Sequence, residues 1–183
     1  FMKKKIIYSL LLVFTGFVLY ILYVINNPVS PLETVTFQED NKDISITYSR
    51  PYKKNRLIFG NESDNALVPY NNYWRTGANR HTMIKTKSDL SIGNNTLKSG
   101  EYSMYTIPGE NSWDVTFNST NEYFGIMRPD PEKDIFTVTV PSQNFEDVIE
   151  QFTIDFIPSP PDGPESNAIR LRWDQTEVVI PFN

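Results

Sequence analysis

Residues 89–109, DLSIGNNTLKSGEYSMYTIPG, alternate short apolar runs with two turn signals, Gly93-Asn94-Asn95 and Ser99-Gly100. Glycine and asparagine tolerate the backbone conformations that reverse a chain within a few residues. The stretch therefore reads as successive antiparallel strands, with Ser99-Gly100 launching one over Tyr102 to Ile107. The same pattern continues on both sides. DISITYS (43–49) sets Ile44, Ile46 and Tyr48 against polar partners, and SWDVTFN (112–118) does so with Trp113, Val115 and Phe117. A period of two places each set on one face of a half-buried strand.

Further strands are expected in DIFTVTV (134–140), QFTIDFI (151–157) and AIRLRWDQTEVVIPF (168–182). The last reads as a hairpin turning near Asp174 and Gln175, and NFEDVIEQ (144–151) is the one piece with the pattern of a helical turn. Nine or ten short strands without intervening helices predict an all-β fold, an antiparallel sandwich of the jelly-roll or immunoglobulin type. The longest piece without strand pattern runs from Arg50 to Asn79, punctuated by Pro51, Gly60, Pro69 and Gly77. Loops of that length are functional or packed on themselves.

Ahead of these strands, residues 6–25, IIYSLLLVFTGFVLYILYVI, carry no charge and no proline. Twenty residues at helical rise span roughly 30 Å, the hydrocarbon thickness of a bilayer. Lys3, Lys4 and Lys5 precede the run and NNPVSPLE (26–33) comes after it. The positive-inside rule then keeps residues 1–5 in the cytoplasm, makes 6–25 a transmembrane helix and 26–32 a linker, and sends a domain of residues 33–183 into the periplasm. A cleaved signal peptide shares the lysines and the apolar run, but the run is longer than a usual signal core and has no small-x-small site after it. The expected location is the inner membrane. Ser9, Gly16, Tyr20 and Tyr23 succeed one another by seven, four and three residues, a seam able to pack on another helix.

Composition removes whole classes of chemistry. With no cysteine among 183 residues, disulfides, thiolate metal sites and cysteine nucleophiles are excluded. The single histidine, His81, excludes multi-histidine metal centres, and no metal or cofactor is expected. The chain holds 17 Lys and Arg against 22 Asp and Glu, and three of those lysines belong to the N-terminal start. Such a domain does not offer a phosphate-binding surface to nucleic acid. Serine-hydrolase elbows, phosphate-binding glycine loops and calcium loops are absent as patterns.

The candidate site centres on WRTGAN (74–79). The planar fork of Arg75 suits clamping a carboxylate or phosphate, and also suits tying down loop carbonyls, which is the role expected of it in so long a loop because buried backbone acceptors must be paired. In the second role Trp74 is core, Gly77 a positive-φ residue and Asn79 an Asx-turn former. The functional alternative adds Tyr48, Arg50, Tyr73 and His81, aromatic faces and polar groups of the kind a shallow sugar or peptide site uses. His81 has no nameable nucleophile or orienting partner, so it makes a weak general base.

The series ITYSRP, LIFG, LVPYNNYWRTGAN, LKSGEYSMYTIPG, WDVTFN and EQFTIDF resembles the envelope family of domain of unknown function 2911, found largely in Bacteroidota. The resemblance runs over roughly residues 35 to 182. It implies an exported β domain and brings no established activity. An acidic residue usually comes after WRTGAN in that family, where this chain has Arg80 and His81. The expectation for function is a non-catalytic accessory subunit of a membrane assembly, held to integral membrane partners and the lipid bilayer by its helix. The alternative is a ligand-binding module with WRTGAN lining the site.

Overall fold

The computed structural model describes residues 2–27, 29–39, 41–121, 125–160 and 166–183. It opens with α1 (Met2–Asn26), whose described side chains are all exposed and make no core with the β strands. Lys4–Val24 is long and apolar enough to cross a membrane, a test that anchors and signal sequences both pass.

Seven strands form one antiparallel sheet. In spatial order they are β1 (Leu32–Phe37), β2 (Ile44–Ser49), β5 (Thr82–Thr86), β8 (Gly100–Pro108), β9 (Ser112–Asn118), β10 (Asp134–Ile157) and β11 (Asn167–Phe182). The order is that of a meander, each strand beside its predecessor in the sheet, in place of the Greek-key crossovers of jelly-roll and immunoglobulin sandwiches. Among the described residues two small pairs accompany it: β3 (Phe59–Gly60) with β4 (Val68–Pro69), and β6 (Leu90–Ile92) with β7 (Asn95–Leu97) around the Gly93 turn.

The sheet curls until its ends face each other. The first half of β10 pairs with β9, and its second half pairs with β11. Phe37 at the end of β1 then meets Phe156 of β10 and Phe182 of β11, each at 5.4 Å between ring centroids. The predicted inward rows line the resulting core: Ile44, Ile46 and Tyr48 on β2 and Trp113, Val115 and Phe117 on β9 are all buried. The all-β, sandwich-like layering results from this closure.

Two local readings are corrected. NFEDVIEQ is not a helical turn; it lies inside β10, where the register with β11 shifts between Asn144 and Ile149 and again before Thr153. AIRLRWDQTEVVIPF is not a hairpin but lies within the single strand β11, with Asp174 at φ 55° opposite Ile149. A bulge and a turn use the same polar and left-handed residues, and here they kink two long paired strands instead of reversing them. Lys53 holds the kink through its ammonium, 2.5 Å from Asp174 Oδ2.

The loop from Arg50 to Asn79 packs inward. Ile58, Phe59, Val68 and Trp74 are buried, and the chain is stitched by Val68 N–H to Ile58 O (2.8 Å) and Tyr70 N–H to Gly60 O (2.8 Å). Trp74 exchanges both backbone hydrogen bonds with Thr106 of β8. Its indole joins Phe59, Trp113, Phe152 and Trp173 in one aromatic cluster, with centroid distances of 4.9 Å to Phe152 and 5.7 Å to Trp113.

Candidate functional site

The shape of WRTGAN is set by three of its residues. Trp74 Nε1 donates to Gly77 O at 3.0 Å, closing the loop on itself. Thr76, at φ 55° and fully buried, bonds Thr106 Oγ1 at 3.2 Å, while Thr82 Oγ1 donates to Thr76 O at 2.6 Å. Gly77 sits at φ 152°, and a Cβ there would lie 2.9 Å from the Ser49 carbonyl oxygen. Only glycine combines that dihedral with that approach.

Arg75 does not tie the loop together, contrary to the structural role expected for it. Its one hydrogen bond among the described residues is a long one, Nη1 to Asn79 O at 3.4 Å. The loop carbonyls already have donors from backbone amides, the Trp74 indole and Thr82, which leaves the guanidinium little to hold. The stitching arginine is Arg50. Its Nη1 lies 2.7 Å from Glu33 Oε2, its Nε donates to Phe152 O at 3.0 Å, and its Nη2 donates to Thr153 Oγ1 at 2.9 Å. One planar fork thus fastens β1 and the end of β2 to the far half of β10.

The seven candidate residues fall in three places. Tyr48 is fully buried; its hydroxyl accepts from Ile154 N–H at 2.8 Å and has Ile154 O and Glu33 Oε2 as acceptors for its own proton, each at 3.2 Å. Burial pushes that phenol up to about 12. With Arg50 it belongs to the fold. Tyr73 packs on Tyr105 at 5.4 Å and reaches Gly125 O at 3.5 Å, and the His81 backbone lies against the same Gly125. Trp74, Arg75 and Asn79 alone among the seven line one recess.

That recess has a volume of about 300 Å³, the lower end of the range for small-molecule pockets. Buried Trp74 and Trp173 form its inner side, and Lys54 and Arg56 join Arg75 around it. Among the described residues no carboxylate lines it. Lys54 and Arg56 come from YKKNR (52–56), where Lys54 and Asn55 at φ 49° and 57° make a tight turn closed by Arg56 N–H to Lys53 O at 3.1 Å. Arg56 also donates to the carbonyls of Lys53 and Tyr52. Carbonyls satisfy donors without cancelling the charge. None of the three cations forms an ion pair among the described residues, whereas Arg50, Lys53, Lys85, Lys87, Lys98 and Arg170 all do. Another recess, about 350 Å³, has the opposite chemistry, with Glu110 and Asp114 and, among the described residues, no cation.

Sequence reasoning missed Lys54, Arg56 and Trp173. A signal for the first two was present, since a K-K-N-R run stands out in a chain of net charge −5. Trp173 lies nearly a hundred residues from WRTGAN, and nothing local announces their meeting.

Fold and site together define a curled antiparallel β domain behind an apolar N-terminal helix, with a recess backed by indoles and rimmed by cations that form no ion pair among the described residues. The chain belongs to the family described as protein of unknown function (DUF2911), whose model matches residues 30–182. No curated protein and no solved structure matches it.

Proposed function

We propose that the protein is a membrane-anchored, non-catalytic binding module whose periplasmic domain takes an anionic ligand in the recess behind WRTGAN. The observation that carries this reading is the convergence of Arg75, Arg56 and Lys54 on a concavity that no carboxylate lines among the described residues, in a chain that is acidic overall. Like charges repel, so such a grouping costs stability unless a counter-charge enters it. Arg75 and Arg56 offer planar forks for carboxylate or phosphate, Lys54 a point charge, and Trp74 with Trp173 an apolar back wall. Anchorage in the inner membrane with the N-terminus in the cytoplasm rests on the lysines ahead of α1 and the apolar length of Lys4–Val24.

All three tryptophans belong to the β domain's core cluster and two of them line the recess, so their fluorescence reports on it in the full-length, detergent-solubilised chain. Titration with inorganic phosphate and with succinate is expected to give a saturable change that weakens with added salt and weakens again in Arg75→Ala. A flat response to both anions overturns the reading.

An accessory role in a membrane assembly is a second reading, favoured by α1. Ser9, Tyr20 and Tyr23 are exposed, and Gly16 has open space around it, so the seam is free for a partner helix. Small residues let helix backbones approach closely in lipid. Loss of co-purifying membrane proteins on Gly16→Leu supports this role, and unchanged co-purification removes the seam from consideration.

A further inference from the structure

We infer that the anion taken by this recess is the phosphate of an anionic phospholipid headgroup in the same membrane that α1 enters. The inference rests on reading the recess as an anion site and α1 as a retained anchor. Its first support is chain length. Helix α1 ends at Asn26, and Val29 and Ser30 already line the recess. The four residue steps from Asn26 to Ser30 reach at most about 14 Å when fully extended. Whatever angle the helix takes to the domain, the recess stays within that tether of the point where the helix leaves the hydrocarbon. Headgroup layers begin at that same point and are roughly 5–8 Å deep on each side of a bilayer.

The second support is the rim. Val29, Tyr52 and Leu67 line the recess yet leave 69%, 37% and 42% of their surface exposed. Leu57, whose carbonyl accepts from Leu67 N–H, is exposed as well. Large apolar side chains gathered beside Lys54, Arg56 and Arg75 have the composition of a surface that lies on a bilayer. Apolar groups enter the headgroup and acyl boundary while the cations meet phosphates. Trp74 and Trp173 are so deeply set that a headgroup could enter the recess while its acyl chains remain in the membrane against the apolar rim.

The full-length chain in nonionic micelles gives the test, with tryptophan fluorescence as readout and three separate titrants: inorganic phosphate, phosphatidylglycerol and phosphatidylcholine. Phosphatidylglycerol is expected to bind at least about 10-fold tighter than either of the others. Arg75→Ala and Arg56→Ala are each expected to weaken it by about 5-fold, as one surface cation near an anionic lipid contributes. Leu57→Ser, at an exposed apolar residue beside the recess and outside its lining, is expected to weaken phosphatidylglycerol and leave phosphate binding unchanged, and near-ultraviolet circular dichroism of each variant checks that the aromatic cluster is intact. Phosphate binding as tight as phosphatidylglycerol overturns the lipid assignment while keeping the anion pocket. Equal binding of the two lipids overturns it as apolar adsorption. Silence toward all three removes the anion pocket too.

Discussion

Arg50 and Arg75 stand at the two ends of one loop and have been put to opposite uses. Arg50 spends its fork on Glu33, Phe152 O and Thr153, joining strands that are far apart in sequence. Arg75, inside the more conspicuous motif, keeps one long bond to Asn79 O and faces a recess. The difference lies in the surroundings. A guanidinium becomes structural where carbonyls and a carboxylate lack other donors, and stays available where amides and hydroxyls have already met them. The contrast also divides WRTGAN: Trp74, Thr76 and Gly77 serve the fold, while Arg75 and Asn79 border the recess.

Removing Arg50 should break the comparison with the largest effect. Arg50→Ala deletes an ion pair to a partly buried carboxylate and two further hydrogen bonds, leaving the Phe152 carbonyl without its side-chain donor. A loss of about 2–4 kcal/mol is expected. Arg50→Lys should recover only part, because an ammonium cannot reach three acceptors in one plane. Guanidinium denaturation of the full chain in detergent, monitored by tryptophan fluorescence, measures both, and an unchanged midpoint would sink the structural role.

Gly77→Val tests whether the other half of the contrast, the fold's share of WRTGAN, is correctly placed. The added Cβ would press on Ser49 O, the carbonyl immediately before Arg50, at a φ that β-branched residues avoid. About 2–3 kcal/mol of destabilisation is expected in the same measurement. Gly77→Ala should cost less than valine but more than a typical surface change, since it meets the same oxygen.

Tyr48 sharpens the comparison through pH, because its hydroxyl shares Glu33 with Arg50. Burial holds the phenol near 12, against about 10 in an unfolded chain. The group's contribution is therefore fully present below pH of about 10 and is lost as pH rises toward about 12, when the unfolded state releases the proton first. Tyr48→Phe should be less stable by about 1–2 kcal/mol at neutral pH, with Ile154 N–H unpaired, and should lose less stability than the parent above pH of about 10. Tyr70 and Tyr105 are also raised by burial and remain in both proteins, so the difference between the two curves isolates Tyr48. Parallel curves would count against the burial argument.

How much of this was legible in the sequence depends on the range of the forces involved. The inward rows Ile44, Ile46, Tyr48 and Trp113, Val115, Phe117 were readable because side-chain alternation is a local property of extended backbone. The expected self-packing of the long loop held for the same reason, since Phe59, Val68 and Trp74 announce apolar area. The kinks at Asn144 to Thr153 and at Asp174 were misread as a helical turn and a hairpin, because only pairing between β10 and β11 distinguishes a bulge from a turn. Assigning the stitching role to Arg75 instead of Arg50 failed similarly. The sequence displays the donors, but the unmet acceptors on β10 lie about a hundred residues away.

The smallest expected effect on stability is the most informative. Arg75→Ala removes a 3.4 Å hydrogen bond at a partly exposed site and relieves repulsion from Arg56 and Lys54, so the two contributions oppose each other. The denaturation midpoint should move by less than about 0.5 kcal/mol in either direction. Binding should respond differently, because an anion in the recess loses one of its two planar forks, and Lys54 offers only a point charge in its place. Arg75→Ala should therefore weaken phosphate or headgroup binding while the domain melts as before, and Arg75→Lys should restore the charge but only part of the affinity. A drop of about 2 kcal/mol or more in Arg75→Ala, comparable with that of Arg50→Ala, would mean that the two arginines do the same work. The recess would then be a by-product of the loop's packing, and the search for a ligand would have to leave WRTGAN.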